Sequence, residues 1–269
     1  MKLKEVFYKF GLKPNTKFFP VEKVPLLTYK NRQVEFFQWR APKVPEVVVD
    51  DEEMALHTRF IDEGDFAIDV GANIADSVLP IALACGAKGK VLAFEPNPIA
   101  FTILSKNAFL NKDLTNIIPV PFACTDEDGE LIFKYSNSWL VNGGDKSSFG
   151  FANGHEFPIP VSGVNPDKFL NEHYASDLKR LKYIKIDVEG LDYLVLKQFE
   201  QIIDTYKPYV KFEIAKFTSR EMRENLQNFM RDRSYKLYKV NFENPAFETE
   251  ITVDDFFEPY NFDVMCEPI

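Results

Sequence analysis

The stretch Ala67–Ser77, AIDVGANIADS, decides how this chain folds. Phe66, Ala67 and Ile68 make a short apolar run of the kind that forms a strand covered on both faces. The run ends in Asp69, Gly71 and Asn73, and an apolar pattern suited to a helix starts at Ile74. An acid, a glycine and an amide at the end of a buried strand are poor packing material. They suit a turn that meets a ligand.

Outward from this turn the chain alternates between strand and helix patterns. Strands are expected at 66–70, 90–94, 117–122, 183–187, 209–214 and 235–240, with helices at 74–85, 98–110, 166–181, 191–205 and 219–233. DDEEMALHTRFIDEGD reads as a helix capped by Asp50 or Asp51 and ended by Gly64. DEDGELIFKY reads as a turn into a hairpin strand, 136–158 as a loop, and 262–266 as a closing strand. This order predicts an α/β fold with a doubly wound, mostly parallel Rossmann-like sheet. Residues 1–48, punctuated by proline, form an N-terminal extension with a hairpin, and 49–269 form one domain.

Composition narrows the function. The net charge is −9 with both signs mixed along the chain, which disfavours a nucleic-acid substrate because phosphate contacts need concentrated Lys and Arg. No apolar run is long enough for a membrane span, and the basic start lacks the apolar segment of a secretory leader. Cys85, Cys124 and Cys266 are widely spaced without a CxxC, as expected of reduced thiols in a cytoplasmic protein.

Two ligand classes use the turn after the first strand of such a sheet. A dinucleotide site wants G-x-G-x-x-G, but here Asn73 takes the second glycine's place and Asp76 the third. Asp76 would also repel a pyrophosphate from the following helix. S-adenosylmethionine carries an ammonium and a sulfonium, which Asp69 would favour. VLAFEPN then puts Glu95 at the end of the next strand, where a carboxylate can accept both ribose hydroxyls of an adenosine. Pro96 ends that strand and Asn97 can cap the next helix. Ala123, at the third strand end beside Phe122, can meet the adenine. The cofactor-side set is Asp69, Gly71, Ala72, Asn73, Glu95, Pro96, Asn97 and Ala123.

With AIDVGANIADS and VLAFEPN, the segments FACTDEDGELIF, YIKIDVEGLDYLVLKQF and PYVKFEI follow in an order and spacing that resembles the FkbM-type methyltransferases, from about 66 to 214. The resemblance implies a class I methyltransferase fold and S-adenosylmethionine as cofactor. It also implies O-methylation of a hydroxyl on a sugar, glycan or related small molecule. The chain departs from the family's glycine-rich turn at Ala75-Asp76 and carries Asn165-Pro166-Asp167 before KIDVEG. Two other functions stand beside this one, an NAD-dependent oxidoreductase and a non-catalytic nucleoside-binding homologue.

KIDVEG is where the chemistry is expected. Asp187, Glu189 and Glu213 would converge near the transferable methyl, as general base for an alcohol acceptor or as ligands of a divalent ion. No histidine joins them, and no metal is assigned. Lys185 and Lys211 lie inside apolar strands, so the acids also read as their counter-charges. His57 and His173 read as solvated helix positions. His155 lies in the 136–158 loop with Trp139, Phe149 and Phe151, a pattern that suits either a lid over a carbohydrate or loop packing.

Overall fold

The computed structural model of the protein describes residues 17–42, 44–135, 157–188, 190–240, 250–252 and 254–269. Its centre is a seven-stranded sheet built from β3 (Phe66–Val70), β4 (Lys90–Phe94), β5 (Ile117–Val120), β9 (Leu181–Ile186), β10 (Tyr209–Ile214), β11 (Tyr235–Lys239) and β12 (Phe262–Pro268). The spatial order is β11-β12-β10-β9-β3-β4-β5, and only β12 runs antiparallel to its neighbours. Every residue of β3 is buried, as is all of β4 except Lys90. This is why both strands read as continuous apolar runs instead of alternating ones. The expected doubly wound, mostly parallel architecture is the one found.

Helices cover both faces. The first face carries α1 (Asp51–Thr58), α2 (Val78–Cys85) and α3 (Pro98–Phe109). Asp50 caps α1 by accepting from the Glu53 amide, and Asn97 caps α3 ahead of Pro98. Helix α2 is buried on every side, as its all-apolar sequence requires. The second face carries α4 (Pro166–His173), α5 (Ala175–Leu178), α6 (Asp192–Lys197), α7 (Glu200–Tyr206) and α8 (Arg220–Arg231). A hairpin of β1 (Val21–Tyr29) and β2 (Arg32–Trp39) packs Val34, Phe36 and Trp39 into the first-face core. A small sheet of β6 (Phe122–Cys124), β8 (Phe157–Val164) and β7 (Gly129–Tyr135) stands beyond the β5 edge.

Several boundaries depart from expectation. Helix α2 begins at Val78 and not at 74, because Asn73 (φ 45°) and Ala75 (φ 83°) are left-handed and cannot continue a helix. The strand expected at 117–122 is two strands in different sheets, divided at Pro121, which has no N–H for the ladder. Strand β8 was missed because Pro158 and Pro160 argue against a strand. They are tolerated since β6 pairs only with Ser162–Val164, leaving that side of β8 open at the prolines. The helix expected at 166–181 breaks at Tyr174, and the one at 191–205 breaks around Gln198-Phe199. His57 is buried, edge-on to Tyr183 with ring centroids 5.8 Å apart, because α1 turns that side onto β9. Burial, with Lys211 and Lys185 adding, lowers its pKa to about 3 and keeps the imidazole neutral. His155 and most of the 136–158 loop lie outside the described residues.

Buried Arg223 fastens α8 to the chain that leads into β12. Its guanidinium donates to the carbonyls of Thr218, Ala215, Phe256 and Glu258, at 2.8 to 3.1 Å. Arg223→Met keeps the stem but strands these four acceptors. The expected loss is about 3 kcal/mol or more, since bonds to a charged donor count for about 1.5–3 each. Urea unfolding of the two proteins measures it, and a difference under about 1 kcal/mol would contradict this role.

Candidate functional site

From β3 the chain moves outward to β4 and β5, then crosses back to lay β9 on the other side of β3. The loops leaving β3 and β9 therefore diverge, and a crevice opens beyond their carboxyl ends. A cavity of about 560 Å³ occupies it, within the range of small-molecule sites. Gly71, Asn73, Asp76 and Ser77 line it from the turn after β3. Glu95, Pro96, Asn97 and Ala100 line it from β4 and α3. Phe122–Asp126 with Leu131, Phe133 and Tyr135 form the side of the small sheet. Lys185, Asp187 and Val188, then Leu191, Leu194, Val195 and Gln198, form the side of β9 and α6, and Val44 and Pro45 close it from the segment after the hairpin.

The crossing of the two strand ends leaves no space at Gly71. A Cβ built there would lie 1.9 Å from the Asp187 carbonyl oxygen, and the φ of +83° is one that other residues rarely adopt. The Asp187 amide donates to Val70 O at 3.0 Å, while the amides of Gly71 and Ala72 both donate to Phe94 O. Three strand ends are thus tied at one point. Glu95 then accepts from the Asn73 amide at 2.8 Å and the Asn97 amide at 2.7 Å. Burial raises its pKa to about 7, against the pull of those two backbone donors. Each carboxylate oxygen keeps a second acceptor site for a ligand hydroxyl.

The charges at the β3–β9 junction centre on Lys185. Its ammonium lies 3.3 Å from Asp69 Oδ1 and 3.4 Å from Asp187 Oδ2. Burial opposes the charge, but Asp69, Asp187 and Asp76 outweigh it and raise the pKa, so Lys185 stays protonated. Asp69 is fully buried and accepts a second bond from Ser77 Oγ at 2.6 Å. Asp76 faces the cavity half-buried. Burial raises its pKa, Lys185 opposes, and Asp69 adds to the rise.

Most residues expected at the cofactor come together here. Gly71, Asn73, Glu95, Pro96, Asn97 and Ala123 all line the cavity, and so does Asp187. Asp69 and Ala72 do not. Asp69 sits behind the wall as the partner of Lys185, and Ala72 is buried beneath the turn. Glu213 is not among the lining residues either, and Asn261 Nδ2 donates to its carboxylate at 3.0 Å. Glu189 lies outside the described residues. The sequence reading did not assign Lys185, Asp76, Tyr135, Val44 or Pro45 to the site. Only Lys185 carried a signal, as a cation inside an apolar strand.

Residues 69–237 match the model of the methyltransferase FkbM domain, well over half of the chain. The chain belongs to that family. It is similar to the hexuronic acid methyltransferase AglP of Haloferax volcanii, with 29% identity over 136 residues that cover 51% of this chain and 50% of AglP. It thus spans about half the length of that relative. The methyltransferase sdnD of Sordaria araneosa is 25% identical over 176 residues, covering 53% of this chain and 67% of sdnD. A solved structure of methyltransferase FkbM from Methylobacillus flagellatus superposes with a TM-score of 0.49 at 13% identity, over 77% of this chain and 44% of that one.

The contact at Gly71 can be tested against a glycine of like backbone. Gly71→Ala should cost about 2–4 kcal/mol, from left-handed strain together with overpacking against Asp187. Gly64 also has a positive φ, +103°, but a Cβ there meets nothing within 4 Å. Gly64→Ala should cost only the strain, about 1–2 kcal/mol. Equal losses of thermal stability in the two variants would mean that the close approach of β3 and β9 does not matter.

Proposed function

We propose that the chain is an S-adenosylmethionine-dependent O-methyltransferase acting on a hydroxyl of a sugar, glycan or related small molecule. The observation that carries this reading is Glu95, a carboxylate in the cavity wall one strand away from the close-packed glycine turn. The residues fit the cofactor. Glu95 is placed to accept the ribose hydroxyls, and Phe122 and Ala123 offer a partly apolar edge for the adenine. Asp76 and Asp187 face the cavity as counter-charges for an ammonium and a sulfonium. Family membership supports the reaction class, and the hexuronic acid methyltransferase among the relatives supports a sugar acceptor. The nicotinamide alternative loses ground because Asp76 lines the cavity where a pyrophosphate would have to sit.

When bound, S-adenosylmethionine supplies an electrophilic methyl that an oxygen nucleophile displaces in line. The protein's own work is then positioning and proton removal. Asp187 is the group for the second task. Its side chain is 45% exposed toward the cavity, and Lys185 holds it at the end of β9. Asp69 and Ser77 in turn fix Lys185 from behind. We expect Asp187→Asn to bind S-adenosylhomocysteine within about threefold of the parent and to lose about 10²–10⁴-fold in turnover. Release of S-adenosylhomocysteine across a panel of neutral and acidic sugars measures this. A variant that keeps the parental rate on the acceptor found would remove Asp187 from the chemistry.

Glu95 makes cofactor affinity depend on pH. In the free protein its raised pKa favours the native state at low pH, and that contribution is lost as pH rises through about 7. Accepting ribose hydroxyls favours the charged carboxylate, so binding expels the proton. Affinity for S-adenosylhomocysteine should therefore rise between pH 6 and pH 8 in calorimetric titrations. Glu95→Gln should bind about tenfold more weakly or worse at pH 8 and show a smaller rise. The same pH profile in both proteins would place the ribose elsewhere.

A further inference from the structure

The hairpin that precedes the matched family region is bonded to the cavity in an unusual way. Strand β2 pairs with β1 on one side only. Its other side meets two asparagines, Asn107 in α3 and Asn111 in the turn just past its end. Asn107 Oδ1 accepts from the Phe37 amide at 2.6 Å, and its Nδ2 donates to Phe37 O at 3.3 Å. Asn111 Oδ1 accepts from the Glu35 amide at 3.0 Å, and its Nδ2 donates to Glu35 O at 2.8 Å. Two carboxamides thus stand in for a neighbouring strand.

The two asparagines differ, for Asn111 has a left-handed φ of 55° past the end of α3 and makes no bond to the glycine turn. Asn107 is buried, and its Nδ2 also donates to Ile74 O at 2.7 Å. Ile74 lies in the turn after β3, between left-handed Asn73 and left-handed Ala75. Farther along the hairpin, buried Gln38 spends its whole amide on the segment that follows. Its Nε2 donates to Trp39 O and Pro45 O, and its Oε1 accepts from the Val47 amide. That segment brings Val44 and Pro45 to the cavity wall.

We propose that Asn107 is a positioning residue that couples the N-terminal hairpin to the glycine turn, so that the hairpin is a working part of the cofactor cavity. One carboxamide holds the main chain of Phe37 and the main chain of Ile74. A ligand that fixes the turn therefore also fixes β2, and through Gln38 the wall at Val44 and Pro45. The coupling is reciprocal: whatever loosens the hairpin weakens the ligand by the same factor. This inference rests on the reading of the cavity as a site for an adenosyl cofactor.

Hydrogen exchange of the full chain, with and without S-adenosylhomocysteine, tests it together with calorimetric affinities. In the parent, the ligand should slow exchange at Glu35, Phe37 and Val47 as well as across residues 71–77. Asn107→Ala should bind about tenfold more weakly or worse, with no ligand-induced protection left in the hairpin. Asn111→Gly, which tolerates the left-handed φ of 55° there, loses the same kind of bonds to β2 but none to the turn. It should speed exchange at Glu35 while affinity stays within about threefold of the parent. Asn107→Asp keeps the acceptor for the Phe37 amide but loses the donor to Ile74 O and the longer one to Phe37 O, so it should hold the hairpin by one bond and weaken the ligand. That variant carries the test if Asn107→Ala fails to fold. Equal losses of affinity at Asn107 and Asn111 would reduce both to scaffold and overturn the proposal. So would a parent that binds the ligand with no change at 35–47. A parent that does not bind S-adenosylhomocysteine overturns the cofactor reading and this inference with it.

Discussion

The Lys185 ammonium is the charge around which the carboxyl edge of the sheet is assembled. Register places Asp69 of β3, Lys185 of β9 and Lys211 of β10 side by side across three adjacent strands. Asp69 and Asp187 hold Lys185, while Asp263 of β12 holds Lys211 at 2.6 Å. A buried ammonium is costly unless paired, and two adjacent ones are costlier still. The row is tolerable because acids flank it on both sides. It draws Asp187 to the cavity rim and holds Asp69, with its bond from Ser77, behind the wall. In this way one ion-pair network sets both the end of β9 and the start of the glycine loop.

Steric constraint acts at the same junction. Gly71 passes the Asp187 carbonyl with no room for a side chain, and Phe94 O receives two amides of the turn. Three parallel strands therefore end within hydrogen-bonding reach of one another. The polar groups that follow each end, Asn73, Glu95 and Asp187, are brought into one cavity without any of them belonging to a long loop. Rigid strands position such groups better than mobile segments do. The small sheet and the segment after the hairpin then supply walls, with Tyr135 and Pro45 each reaching the cavity from outside the main sheet.

Much of this was legible in the residues. The buried runs at 66–70 and 90–94, the cap at Asn97, and the alternation of element types lead directly to a doubly wound sheet. The glycine turn and Glu95 point to the cavity at the strand ends because their chemistry is local to those ends. Other features were hidden for physical reasons. Pro158 and Pro160 disguised β8, since their compatibility depends on where β6 stops pairing. Ala75 disguised the true start of α2, because a left-handed alanine is imposed by the fold around it. Asn107 sits inside a helix, where asparagine competes with the backbone for hydrogen bonds, and Asn111 lies in the turn past its end. The misfit of Asn107 was the one signal, and only a neighbouring strand gives it meaning.

The sequence by itself determined the class of fold, the family, and the strand ends at which a ligand can be met. These follow from periodicity, capping and turn chemistry, which act over a few residues. The tertiary structure decided which acids face the cavity and which are counter-ions. Asp69 and Asp187 are both acids at strand ends, yet Asp69 is wholly buried against Lys185 and Ser77 while Asp187 opens to the site. Glu213 turns to Asn261 instead. The hairpin, 70 residues from Asn107 in the chain, is bonded to it through Phe37, and the segment after the hairpin brings Val44 and Pro45 to the cavity. Charge pairing and packing between distant segments settle such questions, because burial makes the energy of an ionised group depend on whatever the fold brings beside it.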